Sequence, residues 1–315
     1  MNLPTSLVVV GAGAIAEEHI KAAQSLGALV SAVFYKDNPS KANLLAKKYG
    51  IGVVTNRLSL LGSLSWDRAV VAIPAEHTFE VYDYLALTSK PVLFEKPVSL
   101  DKKHLQYLSQ FENISVALNR RHYSSVTAAK LFLSADQPDL VRLTLTQMPS
   151  PDSLVKNFYL DGIHLIDLLR FLLPKVTLDS FTARQDSENS WIAIGSAGET
   201  VLNLTFTIGH PINHEIMFLS KDQAAYLRPI EVFNIYHGME KHESASQGAA
   251  RYEPRLITQT IGSQETGHKS GFLEQMRAFL NLKSPEGITA LATISDVQKA
   301  FELVDWVLAD SALER

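Results

Sequence analysis

Residues 6–26 read SLVVVGAGAIAEEHIKAAQSL, and the fold turns on the middle of that stretch. SLVVV (6–10) is a continuous apolar run of strand length, as expected of a parallel strand buried on both faces. AIAEEHIKAAQSL (14–26) sets Ala16, Ile20 and Ala23 on one helical face and stops at Gly27. Between them lie Gly11 and Gly13, with Ala16 in the third small position of a G-x-G-x-x-A pattern. The first glycine permits a tight turn, the second lets a pyrophosphate approach the backbone, and the small third residue lets helix and strand pack closely. The helix N-terminus offers free N–H groups and the positive end of its dipole to phosphates. Alone the pattern is weak and fits a loop that binds nothing. Here it follows the first strand and opens the first helix, which is the context the motif needs.

Working outward, the first 120 residues alternate short β-branched runs with amphipathic stretches. ALVSAVF (28–34), GVV (52–54), DRAVVAI (67–73), PVLF (91–94) and ISVAL (114–118) read as strands. PSKANLLAKKY (39–49), closed by Gly50, reads as a helix, as do segments near HTFEVYDYLAL and DKKHLQYLSQF. This alternation predicts a parallel sheet with helices on both faces. After residue 120 the pattern changes. VTAAKLFLS (126–134) looks helical, and the runs at 141–148, 177–184, 190–196, 200–208 and 214–220 alternate apolar residues with polar ones, many of them Thr. Such alternation suits an antiparallel sheet with one wet face. One strongly apolar helix, FYLDGIHLIDLLRFLL (158–173), sits among them, and the tail beyond Phe272 is helical. Residues 221–268 read as irregular and polar. The expected organisation is a nucleotide-type α/β domain over 1–120 and an α+β domain over 121–315, whose terminal helices could pack back on the first.

Composition narrows the function classes. The 315 residues are 46% hydrophobic and 20% charged, a soluble globular balance rather than a disordered one. With 29 basic and 33 acidic residues and no basic block, nothing points to nucleic acid or an anionic membrane. The absence of cysteine excludes disulfides, thiolate metal sites and cysteine nucleophiles. No Lys or Arg precedes LVVVGAGAIA, so a strand explains it better than a secretory signal core, and a cytoplasmic location is expected.

Two further features carry chemistry. An acid at the end of the second strand would accept the ribose 2′-OH of a dinucleotide. Along VFYKDNPSKA the strand is expected to end at Tyr35-Lys36. Lys36 in the ribose position would favour the 2′-phosphate of NADP; a slip of one residue to Asp37 would favour NAD. The second feature is LFEKPVS (93–99), which places Lys96 at the carboxyl end of a parallel strand, where ligands of open α/β sheets bind.

At these residues the sequence resembles the Gfo/Idh/MocA family of oxidoreductases. The matching elements are GAGAIAEEH (11–19), VAIPAEHT (71–78), FEKPVS (94–99), LNRRHY (118–123), GIHLID (162–167) and the helical tail from Phe272. Within the family the chain looks most like a virulence-factor MviM-like subgroup. The resemblance implies a Rossmann domain followed by a large, mostly antiparallel sheet, and nicotinamide-dependent redox chemistry on a sugar- or cyclitol-like alcohol. It implies cofactor contacts from Gly11, Gly13, Ala14, Ile15, Tyr35 and Lys36. Ile73, Pro74, Glu76, His77, Glu95 and Lys96 would extend that set. The family's lysine maps to Lys96 and its histidine to His164. The Lys96-Pro97 bond is a candidate cis peptide.

The chemistry stands beside the resemblance. Hydride transfer at a carbinol carbon also moves a proton on the oxygen, which a neighbouring acid/base must handle. His164 suits that task, its unperturbed pKa being about 6.5, although a histidine on so apolar a helix also fits the core. Lys96 could hydrogen-bond the same oxygen, and Glu95 could neutralise it. Asp161, three residues before His164, shares its face on an α-helix and could orient the imidazole. Many family members carry Asp four residues before the histidine; that position is Leu160.

Arg121, with Arg120, suits bidentate contact with a substrate carboxylate or phosphate, or equally an ion pair; Tyr123 is a candidate of the same sort. His210, His214 and Glu215 show no metal-binding spacing, so no metal is expected. His19 is expected to pack in the first helix, and Asp167 and Arg170 to be structural.

The leading reading is an NAD(P)-dependent dehydrogenase or reductase with Lys96 and His164 converging on the cofactor. The alternatives are a catalytically degenerate NAD(P)-binding sensor and a redox-assisted glycoside cleavage. The expected partners are a small sugar-like substrate and further copies of the chain, docked through the second sheet as a homodimer or higher homo-oligomer.

Overall fold

The computed structural model describes residues 4–85, 88–135, 137–148, 154–173, 182–187, 190–242, 250–262, 267–283 and 290–309. The chain divides into two compact units, Met1–His122 with Gln264–Phe301, and Tyr123–Ser263 with Glu302–Arg315.

In the first unit strands and helices alternate: β1 (Ser6–Val10), α1 (Ala14–Ser25), β2 (Leu29–Phe34), α2 (Pro39–Tyr49), β3 (Val53–Thr55), β4 (Arg68–Val71), α3 (Phe79–Leu85), β5 (Val92–Glu95), α4 (Lys102–Leu108) and β6 (Ile114–Ala117). The sheet runs β3-β2-β1-β4-β5-β6 with every pair parallel. Leu7, Val8 and Val9 are fully buried, as a strand covered on both faces requires. Local signals set the helix limits. Asn38 caps α2 by accepting from the Lys41 N–H at 3.1 Å, Pro39 occupies the first turn, and Gly50 ends the helix in the left-handed conformation. Because β1 is flanked by β2 on one side and β4 on the other, the strand order reverses there. A crevice opens beyond the carboxyl ends at such a reversal.

The second unit contains α5 (Ser124–Ala135), β7 (Leu140–Gln147), α6 (Leu154–Asn157), α7 (Ile163–Leu172), β8 (Thr182–Ser187), β9 (Ser190–Ala197), β10 (Thr200–Ile208), β11 (Glu215–Leu219), β12 (Gln223–Leu227), β13 (Val232–His242) and β14 (Arg251–Ile261). Its sheet, among the described residues, is eight-stranded in the order β14-β13-β12-β11-β7-β10-β9-β8, and only β7 and β10 pair in parallel. Along β10, Leu202, Leu204 and Phe206 are buried while Val201, Asn203 and Thr205 face outward. Phe206 packs edge-on against Phe158, and Phe233 against Phe132 of α5, so helices cover one face.

The sequence reading of 221–268 as irregular is corrected: β12, β13 and β14 occupy most of it. Their outer stretches are polar because both faces of the β13–β14 ribbon are exposed beyond His237, where β12 ends. The strand expected over 177–184 begins at Thr182, and 174–181 lie outside the described residues.

The chain then returns to the first unit. In α8 (Phe272–Phe279), Phe272, Met276 and Phe279 join the core formed by α1, β1 and β2. Ala292 bridges Val116 of β6 just before α9 (Ile294–Ala309).

Candidate active site

The turn between β1 and α1 is built on Gly11, whose φ of +125° lies outside the range of L side chains. A Cβ there would also sit 2.2 Å from the Ala72 carbonyl oxygen. The turn is thus held against the end of β4, and the Gly11 N–H donates to Phe34 O of β2 at 2.8 Å. Gly13 caps α1 without any side-chain cap, and a Cβ added to it would meet nothing within 4 Å. Ala16 is fully buried where helix meets sheet. Open space over an uncapped helix N-terminus fits a pyrophosphate.

This turn forms one wall of a cavity of about 510 Å³. Tyr35, Lys36, Ile73, Pro74 and His77 line it with Gly11 and Gly13. Ala14 and Ile15 do not; Ala14 is exposed at the start of α1, and Ile15 packs on the core. Strand β2 ends at Phe34, the limit of the ALVSAVF run and one residue before the Tyr35-Lys36 end used to count the ribose position, and Tyr35 N still donates to Thr55 O at 3.0 Å. Lys36 and Asp37 both reach the cavity wall. The Lys36 ammonium donates to Glu80 Oε1 at 3.0 Å and lies 3.2 Å from His77 Nδ1. An ammonium has no lone pair, so Nδ1 is the acceptor in that contact. Neither partner was foreseen; the available signal was the spacing of His77 and Glu80, one helical turn apart.

At the end of β5 the chain makes a tight turn. Val98 N donates to Glu95 O at 3.0 Å and the Lys96-Pro97 bond is cis, the arrangement of a type VI turn with proline third. Val98 has a positive φ of 73° and is fully buried, held by Thr78 Oγ1, which donates to its carbonyl. Lys96 is half-buried. The Glu95 carboxylate turns to α1, where its Oε1 lies 2.8 Å from Nε2 of the fully buried His19. Its Oε2 accepts from the Lys96 N–H at 3.3 Å. His19 therefore packs in its helix as expected and also fastens the base of the lysine turn. The only hint in the sequence was a histidine beside the apolar stripe of α1.

His164 stands in the first turn of α7, half-buried. Residues 158–162 just before it form a π-helical turn, which takes in one residue more than an α-turn. Gln147 of β7 donates to Asn157 O at 2.9 Å where the helix widens. Asp161 is exposed and Leu160 partly buried on this turn.

Arg121 is buried, and its guanidinium lies 3.4 Å from Asp296 in α9. Burial raises the Asp296 pKa, but hydrogen bonds from Thr293 and the Arg121 charge outweigh it and hold the carboxyl below its usual range. Tyr123 is also buried. Glu215 pairs with Arg228 at 3.1 Å, and His214 Nδ1 accepts from Thr146 N at 3.3 Å. Among the described residues no group of three His, Cys, Asp or Glu could hold a metal, and no helix is long and apolar enough to cross a membrane.

Known proteins place this architecture. No curated protein matches the sequence. Solved structures share the fold along the chain. UDP-N-acetylglucosamine 3-dehydrogenase GnnA from Acidithiobacillus ferrooxidans superposes with a TM-score of 0.75 at 15% identity, covering 98% of each chain. The dehydrogenase MviM from Clostridium difficile gives 0.74 at 15%, covering 97% of this chain and 99% of its own. An oxidoreductase from Agrobacterium radiobacter, in complex with NAD+, L-tartaric acid and magnesium, gives 0.72 at 16%, covering 99% and 98%. Residues 5–116 match the model of the Gfo/Idh/MocA oxidoreductase family, NAD-binding Rossmann fold. The glycine turn and the 3-2-1-4-5-6 strand order agree with that match: residues 5–116 are similar to the NAD-binding Rossmann fold of the Gfo/Idh/MocA oxidoreductases.

Proposed function

We propose that the protein transfers hydride between a nicotinamide dinucleotide and a sugar-, cyclitol- or related hydroxy or carbonyl compound. The observation that carries this reading is the glycine turn. Gly11 admits no side chain, Gly13 opens onto free space, and both line a cavity large enough for much of a dinucleotide. The bound nicotinamide supplies the carbon that gives or takes the hydride. The chain's own residues do the rest. The first turn of α1 would hold the pyrophosphate, and the wall at Tyr35, Lys36, Ile73, Pro74 and His77 would hold the adenosine half. A cation at Lys36 favours the 2′-phosphate of NADP. Lys96 would hydrogen-bond the reacting oxygen. In the oxidation direction His164 would take the O–H proton as hydride leaves the carbon; in reduction it would return it. Lys96 and His164 would have to converge on one face of the cofactor.

Purified protein titrated with NADH and NADPH tests the first half of this proposal. Turnover against a panel of nucleotide sugars, inositols and aldoses tests the second. Lys96→Ala should all but abolish turnover, by a factor of about 10²–10⁴, the range typical of proton-handling groups, while dinucleotide affinity persists. Unchanged turnover would remove Lys96 from the mechanism.

One observation favours a second reading. Leu160 stands where the family pattern has Asp. A cofactor-binding sensor would bind dinucleotide tightly and turn over nothing on the panel. In either case we place a self-association contact on the face of the second sheet opposite the Phe158 and Phe132 contacts, where, among the described residues, Ile194 and Val201 are about half exposed. Light scattering that returned the mass of one chain would end that proposal.

A further inference from the structure

We propose that Glu80 sets the choice between a 2′-hydroxyl and a 2′-phosphate dinucleotide, by holding the Lys36 ammonium as a built-in counter-anion. The inference rests on the dinucleotide reading above and adds a residue that lies outside β2 and its following loop, on α3.

The end of β2 is where the adenosine ribose of such cofactors is read. At that place the cavity wall carries two cations, Lys36 and Lys41, and two carboxylates, Asp37 and Glu80. Their charges cancel. Lys36 is already engaged by Glu80 at 3.0 Å and donates to His77 as well. A 2′-phosphate arriving beside Lys36 must therefore replace the Glu80 carboxylate as the partner of the ammonium. It must also bring its charge of −1.5 to −2, a magnitude typical of phosphate monoesters, close to a second carboxylate. A ribose hydroxyl asks for neither change. It can donate to Glu80 and accept from Lys36 with the pair intact.

The exchange is physically possible because the pair is wet. Lys36 and Glu80 side chains are 46% and 54% exposed, and an ion pair in that setting is weak because water competes for both partners. Glu80 thus tunes the preference without forbidding the phosphate. With its charge removed, the wall becomes net cationic and the ammonium is released to the ligand. Lys36 alone then reads as a 2′-phosphate residue; Lys36 held by Glu80 reads as a residue for either cofactor.

The test is a pair of equilibrium titrations, NADH and NADPH, on the full chain carrying Glu80→Gln, Lys36→Gln or both, read by nicotinamide fluorescence. Glu80→Gln is expected to shift the NADPH:NADH affinity ratio about 10-fold toward NADPH, equivalent to ~1.4 kcal/mol. In the Lys36→Gln background the same change should shift the ratio by only about 2- to 3-fold, since repulsion is relieved but no ammonium is released. A ratio that stays within 2-fold on Glu80→Gln, with both dinucleotides still binding, overturns the role of Glu80 and leaves the dinucleotide reading standing. Equal shifts in the two backgrounds overturn the release of Lys36. A folded wild-type chain that binds neither dinucleotide overturns both readings together.

Discussion

Two histidine–carboxylate neighbourhoods stand at the same edge of the first sheet and obey opposite physics. At the end of β5, His19 and Glu95 meet at 2.8 Å with the imidazole fully buried. At the end of β2, Lys36, His77 and Glu80 meet over similar distances, with every side chain near half exposure. The distances alone would not separate them; solvent does. In the dry pair the imidazole has surrendered its water and the Glu95 side chain keeps only 15% of its exposure, so the contact is held far more firmly once the chain folds. In the wet cluster water competes for every group, so partners can be exchanged at little cost. The first arrangement suits a hinge pin beneath Lys96, the second a reader of ligand charge.

The sharpest way to break this contrast is to remove the buried imidazole. His19→Leu leaves the Glu95 carboxylate facing an apolar wall, and we expect a loss of ~2–4 kcal/mol in urea unfolding. A loss below ~0.5 kcal/mol would mean that Glu95 simply turns to water, and that the two sites do not differ in kind.

A pH-dependent effect comes from a third group at this level, which sharpens the comparison. His122 is buried beside Arg121 with no carboxylate of its own at hydrogen-bond distance among the described contacts. Burial first, and the Arg121 charge second, push its pKa down to about 3. The folded chain therefore keeps the ring neutral while the unfolded chain protonates it near 6.5, the ordinary value. The unfolded state binds the extra proton between those limits, so stability falls as pH drops from about 6.5 toward 3, at up to ~1.4 kcal/mol per pH unit. Above 6.5 this group contributes no slope. His122→Gln should flatten that portion of the stability–pH curve; an unchanged slope would show that other groups carry it.

The least effect belongs to the wet cluster. Glu80→Gln should change unfolding free energy by under ~0.5 kcal/mol, even as it changes ligand choice. A loss comparable to that of His19→Leu would show the Lys36–Glu80 pair to be structural after all.

How much of this could be read from the sequence depends on what each feature rests on. SLVVV and GAGAIA are legible because burial on both faces and a tight glycine turn are local demands, and β1 and α2 fall on their expected limits. Lys96 and the cis bond after it are legible for the same reason, with EKP at the end of an apolar run. β13 and β14 are not, because a ribbon exposed on both faces needs no apolar alternation and leaves none to detect. The π turn before His164 is likewise hidden. It depends on Gln147, at the end of β7, reaching Asn157 O, and on the close packing of Gly162 against Phe158, whose side chain would lie 3.2 Å from an added Cβ. The carboxylate partners of His19 and Lys36 lie 76 and 44 residues away along the chain, and no local pattern announces contacts of that span.

The return of the chain to its first unit has a consequence for biosynthesis. The first unit cannot finish its interior when residue 122 leaves the ribosome, because Phe272, Met276 and Phe279 belong to that interior. At ~5–20 residues per second, the typical pace of translation, it waits roughly 8 to 30 seconds for them. During that interval α1 displays an apolar flank to solvent or to whatever chaperone meets it, and a nascent chain stalled before Phe272 should be far more vulnerable to protease than the released one.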